Sequence, residues 1–180
     1  MFDENIFFNL NNVETKVIIE KSDCIDDWDS WGVRDVAPLS YGNGSWIYND
    51  ESITLYYTGS SNESKGQEQS EGVSIFDCKF GIAKKYENNP VIKKSSDSKG
   101  KSINSSAWVI SETKGNFKMV YRAAEYTYEK ESIGFVEGNN KFEFEEIKAK
   151  KVLYTKDFNA LFDGYEMMAV FNICKLKDSG

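Results

Sequence analysis

The apolar residues of this chain recur with the period of strands, and the recurrence comes in pairs. Ser45-Trp46-Ile47-Tyr48 and Ile53-Thr54-Leu55-Tyr56-Tyr57 flank the polar turn Asn49-Asp50-Glu51-Ser52. Ala107-Trp108-Val109-Ile110 and Phe117-Lys118-Met119-Val120-Tyr121 flank Lys114-Gly115-Asn116 in the same way. β-branched and aromatic runs separated by turn formers read as hairpins. A third pair, Ile133-Gly134-Phe135-Val136 and Lys141-Phe142-Glu143-Phe144-Glu145, is expected to close through Glu137-Gly138-Asn139-Asn140. Phe142 and Phe144 alternate there with charge, as in a half-buried strand. Val17-Ile18-Ile19 is a shorter β-rich run, and Asn159–Asp163 reaches no more than a helical turn before Gly164. The runs 60–71 and 95–106, rich in Ser, Lys, Glu and Gly, read as exposed loops. The fold class expected is mainly β.

With 180 residues, 40% of them hydrophobic and 14% aromatic, the chain can bury the core of one domain. Its net charge of −7 argues against a nucleic-acid or anionic-membrane binder, either of which needs a basic face. No apolar run approaches the ~18 residues of a membrane span. Met1-Phe2-Asp3-Glu4-Asn5 is acidic where a signal peptide is basic. A soluble, cytoplasmic protein is the expectation, or an extracellular one if the chain is a fragment.

Histidine is absent. That excludes Ser-His-Asp and Cys-His nucleophile systems and His-ligated zinc, and leaves acid–base chemistry chiefly to carboxylates. Cys24, Cys78 and Cys174 form no CxxC and are expected to be idle thiols. Asp23, Asp26, Asp27 and Asp29 lack the glycine and terminal glutamate of an EF-hand loop, so they read as a solvated loop. Neither metal nor cofactor is expected.

An order of elements recurs. Leu55-Tyr56-Tyr57-Thr58-Gly59 precedes Phe80-Gly81-Ile82-Ala83 and then Asn89-Pro90-Val91-Ile92. Met119-Val120-Tyr121-Arg122-Ala123 precedes Ile133-Gly134-Phe135-Val136, then Phe142 and Val152-Leu153. Tyr57 and Tyr121 are 64 positions apart, Gly81 and Gly134 53. A third start is read in Asp163-Gly164-Tyr165-Glu166-Met167. Units of about 60 residues with four strands suit the blades of a β-propeller. They are placed at 30–95, 103–155 and 160–180, the last incomplete.

Ahead of the first unit lies Trp28-Asp29-Ser30-Trp31-Gly32-Val33-Arg34-Asp35-Val36-Ala37-Pro38, indoles beside carboxylates. Flat apolar rings suit the C–H face of a sugar, and acids suit its hydroxyls. The order of these motifs resembles the five-bladed β-propeller glycosidases, the superfamily of arabinanases, xylosidases, invertases and levansucrases. The resemblance spans about residues 25–172 and implies a carbohydrate-active protein that binds or hydrolyses a glycan through carboxylates at the starts of successive blades.

Carried residue by residue, that resemblance makes Asp35 the first-blade nucleophile or base and Glu166 the general acid, with Asp29 and Asp163 as the next candidates. Trp28, Trp31, Arg34 and Trp108 join Asp29 and Asp163 as sugar-contacting residues. At the second-blade position the sequence reads Ile103-Asn104-Ser105-Ser106-Ala107-Trp108, with no acid. This favours binding over hydrolysis. Two blades and part of a third leave strand edges open, so self-association or a partner would complete the ring. The alternatives are a non-catalytic glycan-binding protein and a closed β-barrel or sandwich acting in protein–protein contact.

Overall fold

A computed structural model describes residues 17–63, 65, 68–93, 102–113, 115–125, 131–145 and 150–154. The described strands are β1 (Gly32–Pro38), β2 (Ser40–Tyr41), β3 (Tyr48–Asn49), β4 (Ser52–Ser60), β5 (Gln69–Asp77) and β6 (Ile82–Lys85) in the first half. The second half holds β7 (Ile92–Lys93), β8 (Ser102–Thr113), β9 (Asn116–Glu125), β10 (Glu131–Gly138), β11 (Phe144–Glu145) and β12 (Lys150–Tyr154). No helix occurs among the described residues.

Two four-stranded antiparallel meanders make up the fold, β1-β4-β5-β6 and β8-β9-β10-β12. A parallel bridge from Gln69 to Ile103 and a short parallel pairing of β2 with β8 join them into one mixed sheet that does not close into a barrel. Each meander has the strand count and order of a propeller blade.

β4 shows why the chain folds this way. Its interior is buried on both sides, as its unbroken run Ile-Thr-Leu-Tyr-Tyr-Thr requires. Tyr56 faces the second meander and packs with Val73, Ala107, Val109, Met119 and Tyr121. Ile53, Leu55 and Tyr57 face the other way, under Ile19 and Trp28. Burying a side chain of this size stabilises by roughly 1.5–3 kcal/mol, so the seam and the Trp28 side both contribute on a scale that matters. Val17–Ile19 is not a strand; Ile19 belongs to this cover.

Several sequence expectations are corrected in detail. The first hairpin forms through Asp50 and Glu51, both with positive φ as a tight two-residue turn demands, but β3 is only two residues long. Residues 69–71 and 102–106, read as loop, begin strands that meet at the seam. The third hairpin does not close as expected, because β10 takes β12 as its second neighbour. Phe142 and Phe144 are drawn elsewhere: Phe142 stacks on Tyr86 at 4.8 Å between ring centres, Phe144 is buried beside Val91, and β11 pairs in parallel with β7.

The repeat is also shifted by one strand. Ile82-Ala83 belongs to the fourth strand of its meander and Gly134-Phe135 to the third of the other. The structural match is instead Tyr57 opposite Gly72 and Tyr121 opposite Gly134. In both, the tyrosine ring lies where a Cβ on the glycine would sit, at 2.8 Å and 2.5 Å.

Gly59 is under the same constraint from Trp28. A Cβ there would stand 2.3 Å from the indole and 2.6 Å from Asp29 Cβ. Gly59→Ala is expected to destabilise the fold by about 3 kcal/mol through overpacking and to red-shift tryptophan emission. A urea midpoint equal to that of the parent would show that Trp28 does not seat on Gly59.

Candidate functional site

The first strands of the two meanders, β1 and β8, carry matching irregularities. Along β1 the pairing with β4 slips between Arg34 and Ala37, and Asp35 has φ 53°. Along β8 the pairing with β9 slips between Ser105 and Trp108, and Ser106 has φ 54°. Each is a bulge with one extra residue held in the left-handed region, a conformation that costs a non-glycine residue about 1–3 kcal/mol and marks places where a side chain is re-aimed.

The two bulges meet. Ser106 Oγ donates to Asp35 Oδ2 at 3.0 Å, 71 residues away in sequence. Arg34 Nε lies 3.4 Å from the same carboxylate oxygen, and Arg34 Nη2 donates to Gln69 Oε1 at 2.6 Å. The Asp35 side chain keeps 40% of its exposure, so a carboxylate flanked by a guanidinium and a hydroxyl faces solvent at the seam. Such a group offers both donors and acceptors to a polyhydroxylated ligand.

Behind it lies a residue that the sequence reading missed. Glu71 is fully buried. Its Oε1 accepts from Thr58 Oγ1 at 2.8 Å and from the Ala107 N–H at 3.2 Å. Thr58 Oγ1 in turn accepts from the Ser106 N–H at 2.9 Å. Glu71 Oε2 has no hydrogen-bond partner among the described residues. Burial pushes the Glu71 carboxyl up to about 8, against the hydrogen bonds from Thr58 and Ala107; Asp35 raises it further and Arg34 lowers it.

The other sequence-selected residues are scattered. Asp29 is buried; Lys85 Nζ approaches its Oδ2 at 2.6 Å and the Tyr57 hydroxyl donates to it at 3.3 Å. Burial and the Asp29 carboxylate together push the Tyr57 phenol up. Asn89 Nδ2 also donates to the Tyr57 oxygen, at 3.1 Å. This carboxylate is buried and its partners Lys85 and Tyr57 belong to the fold. Trp28 is half-buried over Tyr57, Gly59 and Gly72. Trp31 is 54% exposed three residues before Arg34, and its N–H bonds to the Ser60 carbonyl. Trp108 follows the second bulge; its indole N–H is buried and has no partner among the described residues. Glu166, Asp163 and the third unit at 160–180 lie outside the described residues, as does Cys174. Cys24 and Cys78 are exposed free thiols, and no cluster of metal-ligating side chains occurs among the described residues.

Cavities among the described residues lie elsewhere. One of about 440 Å3 is lined by Gly115, Asn116, Glu137, Asn139, Glu143 and Glu145. Another, of about 370 Å3, is lined by residues including Leu39, Ile47, Phe117 and Lys141, whose ammonium is pushed down by burial. Asp35 lines neither. No helix among the described residues is long and apolar enough to cross a membrane.

No family model and no curated protein sequence matches the chain. Among solved structures, a mutant of the Bombyx mori GH32 β-fructofuranosidase in complex with sucrose aligns with a TM-score of 0.41 and 16% identity. The alignment covers 55% of this chain and 20% of that enzyme, so this chain corresponds to about one fifth of the length of that protein.

Proposed function

We propose that this chain recognises carbohydrate at the seam of its two meanders, as a glycosidase-like protein of the propeller type that binds a glycan and does not cleave it. The observation that carries the reading is the meeting of the two bulges, which sets a half-exposed Asp35 carboxylate between Arg34 and Ser106. The carboxylate accepts from sugar hydroxyls and the guanidinium donates to them, while exposed Trp31 offers an aromatic face on the same strand approach. The order of sequence motifs around Asp35 supports the same class.

Binding is favoured over hydrolysis by what stands opposite Asp35. The β8 bulge presents Ser106 where the resemblance places a further carboxylate, the group that would keep the general acid protonated. Glu71 is sealed inside and does not reach a glycosidic oxygen.

Titration with sucrose, arabino- and xylo-oligosaccharides, followed by tryptophan fluorescence, tests this. At least one sugar is expected to change the emission, with Asp35→Ala weakening its binding by about tenfold or more and Glu166→Gln leaving it unchanged. Nitrophenyl glycosides are expected to release no nitrophenol. Absence of any response across the panel, or equal affinity in Asp35→Ala, would overturn the site. Nitrophenol release lost in both Asp35→Asn and Glu166→Gln would replace binding with hydrolysis, Asp35 attacking or activating water and Glu166 protonating the leaving oxygen.

A further inference from the structure

Glu71 has no role in the site as a contact, since nothing outside the protein reaches it. Its position is nevertheless specific. It lies on β5 of the first meander directly across from Thr58, and it reaches over the seam to the backbone of the second. Thr58 and Glu71 together satisfy the two consecutive N–H groups of the β8 bulge: Ser106 N–H on Thr58 Oγ1, Ala107 N–H on Glu71 Oε1. Those N–H groups have lost their ladder partners to the register slip between Ser105 and Trp108. A buried backbone donor without an acceptor is costly, so the bulge needs these two side chains to persist.

We propose that Glu71 is a positioning residue which, as a neutral carboxyl, pins the Ser106–Ala107 bulge so that the Ser106 hydroxyl meets Asp35, and which frees that bulge when it ionises. That the pinned bulge serves a sugar site rests on the function proposed above; the pinning itself does not.

The neutral form follows from the surroundings. Glu71 has two hydrogen-bond donors on one oxygen and none on the other among the described residues. A full charge there would leave Oε2 bare in the interior, which is far costlier than a bare neutral group. Among the described residues, the ionisable groups that face it are Arg34 and Asp35 on β1 and Tyr57 on β4. Arg34 favours ionisation, but it also lies beside Asp35 and hydrogen-bonds Gln69. β8 faces Glu71 with a backbone N–H and brings it no countercharge. The Thr58 and Ala107 hydrogen bonds favour the charge, but the unpartnered Oε2 does not; once ionised it needs water, and opening the Ser106–Ala107 bulge is what would admit it.

The test needs no ligand. Amide hydrogen exchange of Ser106 and Ala107, corrected for intrinsic exchange, is followed from pH 6 to 9 beside the carbon-13 shift of the Glu71 carboxyl. Protection of both amides is expected to fall by about tenfold or more through the same pH at which the carboxyl titrates, above 7. Glu71→Gln, which keeps an acceptor oxygen but cannot ionise, should retain protection and lose the step; Glu71→Ala should lose protection at every pH. A Glu71 carboxyl titrating below pH 6, or a step that persists in Glu71→Gln, would overturn the proposal. Should Glu71→Ala not fold, the parent and Glu71→Gln still decide it. A step in protection without any sugar response would leave Glu71 in this role and remove the carbohydrate reading. With both present, sugar affinity should fall through the same pH in the parent and stay level in Glu71→Gln.

Discussion

Between pH 5 and pH 8 the folded protein is expected to lose about 3–4 kcal/mol of stability through Glu71 alone. The carboxyl sits at about 8 in the fold against an ordinary 4.5. Between those values the unfolded chain has already released the proton while the native state still holds it. Each unit of that gap is worth about 1.4 kcal/mol, and stability falls as pH rises because the native state binds the extra proton. The contribution is fully present below the unfolded value and is gone once pH passes the folded one.

Chemical denaturation at pH 5, 6.5 and 8 measures this. Glu71→Gln should be nearly flat over the same range, since it removes the titrating proton. Its amide nitrogen takes the place of an oxygen that already lacks a partner, so the variant should start below the parent at pH 5 by about 1–2 kcal/mol. The two curves should therefore cross, with Glu71→Gln the more stable at pH 8. Parallel curves would mean that Glu71 is ionised throughout and balanced by Arg34.

The second large effect concerns Asp29 and Lys85. Their side chains are 4% and 31% exposed, and the carboxylate is also the acceptor for the Tyr57 hydroxyl. Removing one member of a buried ion pair costs mainly because the survivor is left charged in the interior. The two members are not equal in that respect. Lys85→Met keeps the aliphatic stem and strands the buried carboxylate, with an expected loss of about 3 kcal/mol. Asp29→Asn leaves a cation that can reach solvent and an amide oxygen that still accepts from Tyr57, so about 1–2 kcal/mol is expected. Urea denaturation of the two single variants and the double variant gives both costs and their coupling. A larger loss in Asp29→Asn than in Lys85→Met would show that the pair is open to water from the Asp29 side.

These two residues also mark how far the sequence could be read. Asp29 stands between two tryptophans, a local pattern equally suited to a sugar-facing acid and to a buried one. What distinguishes them is Lys85, 56 positions away and brought opposite by the pairing of β6 with β5. Glu71 was less legible still. It lies in a Gln-Ser-Glu-Gly stretch whose composition is that of a loop, and no periodicity marks it as strand. Its place is set by the ladder with β4, where Thr58 is its partner. Asp35 was singled out from the sequence by its neighbours Trp28, Trp31 and Arg34, but the bulge within β1 that holds it at the seam had no local signature.

Local chemistry alone was enough for the β content, for the first two hairpins and for the pairing of Tyr57 with Tyr121 as equivalents, because side-chain period and turn preference act over a few residues. Tertiary structure decided which strand pairs with which, how the repeat aligns, and which acids are buried. Phe142 and Phe144 left the hairpin that their neighbours suggested because Tyr86 and Val91 offered a deeper place. The meeting of Asp35 with Ser106 depends on two bulges in separate meanders, and the neutrality of Glu71 on the seam they close. Burial and distant countercharge are properties of the packed chain, and no window of sequence contains them.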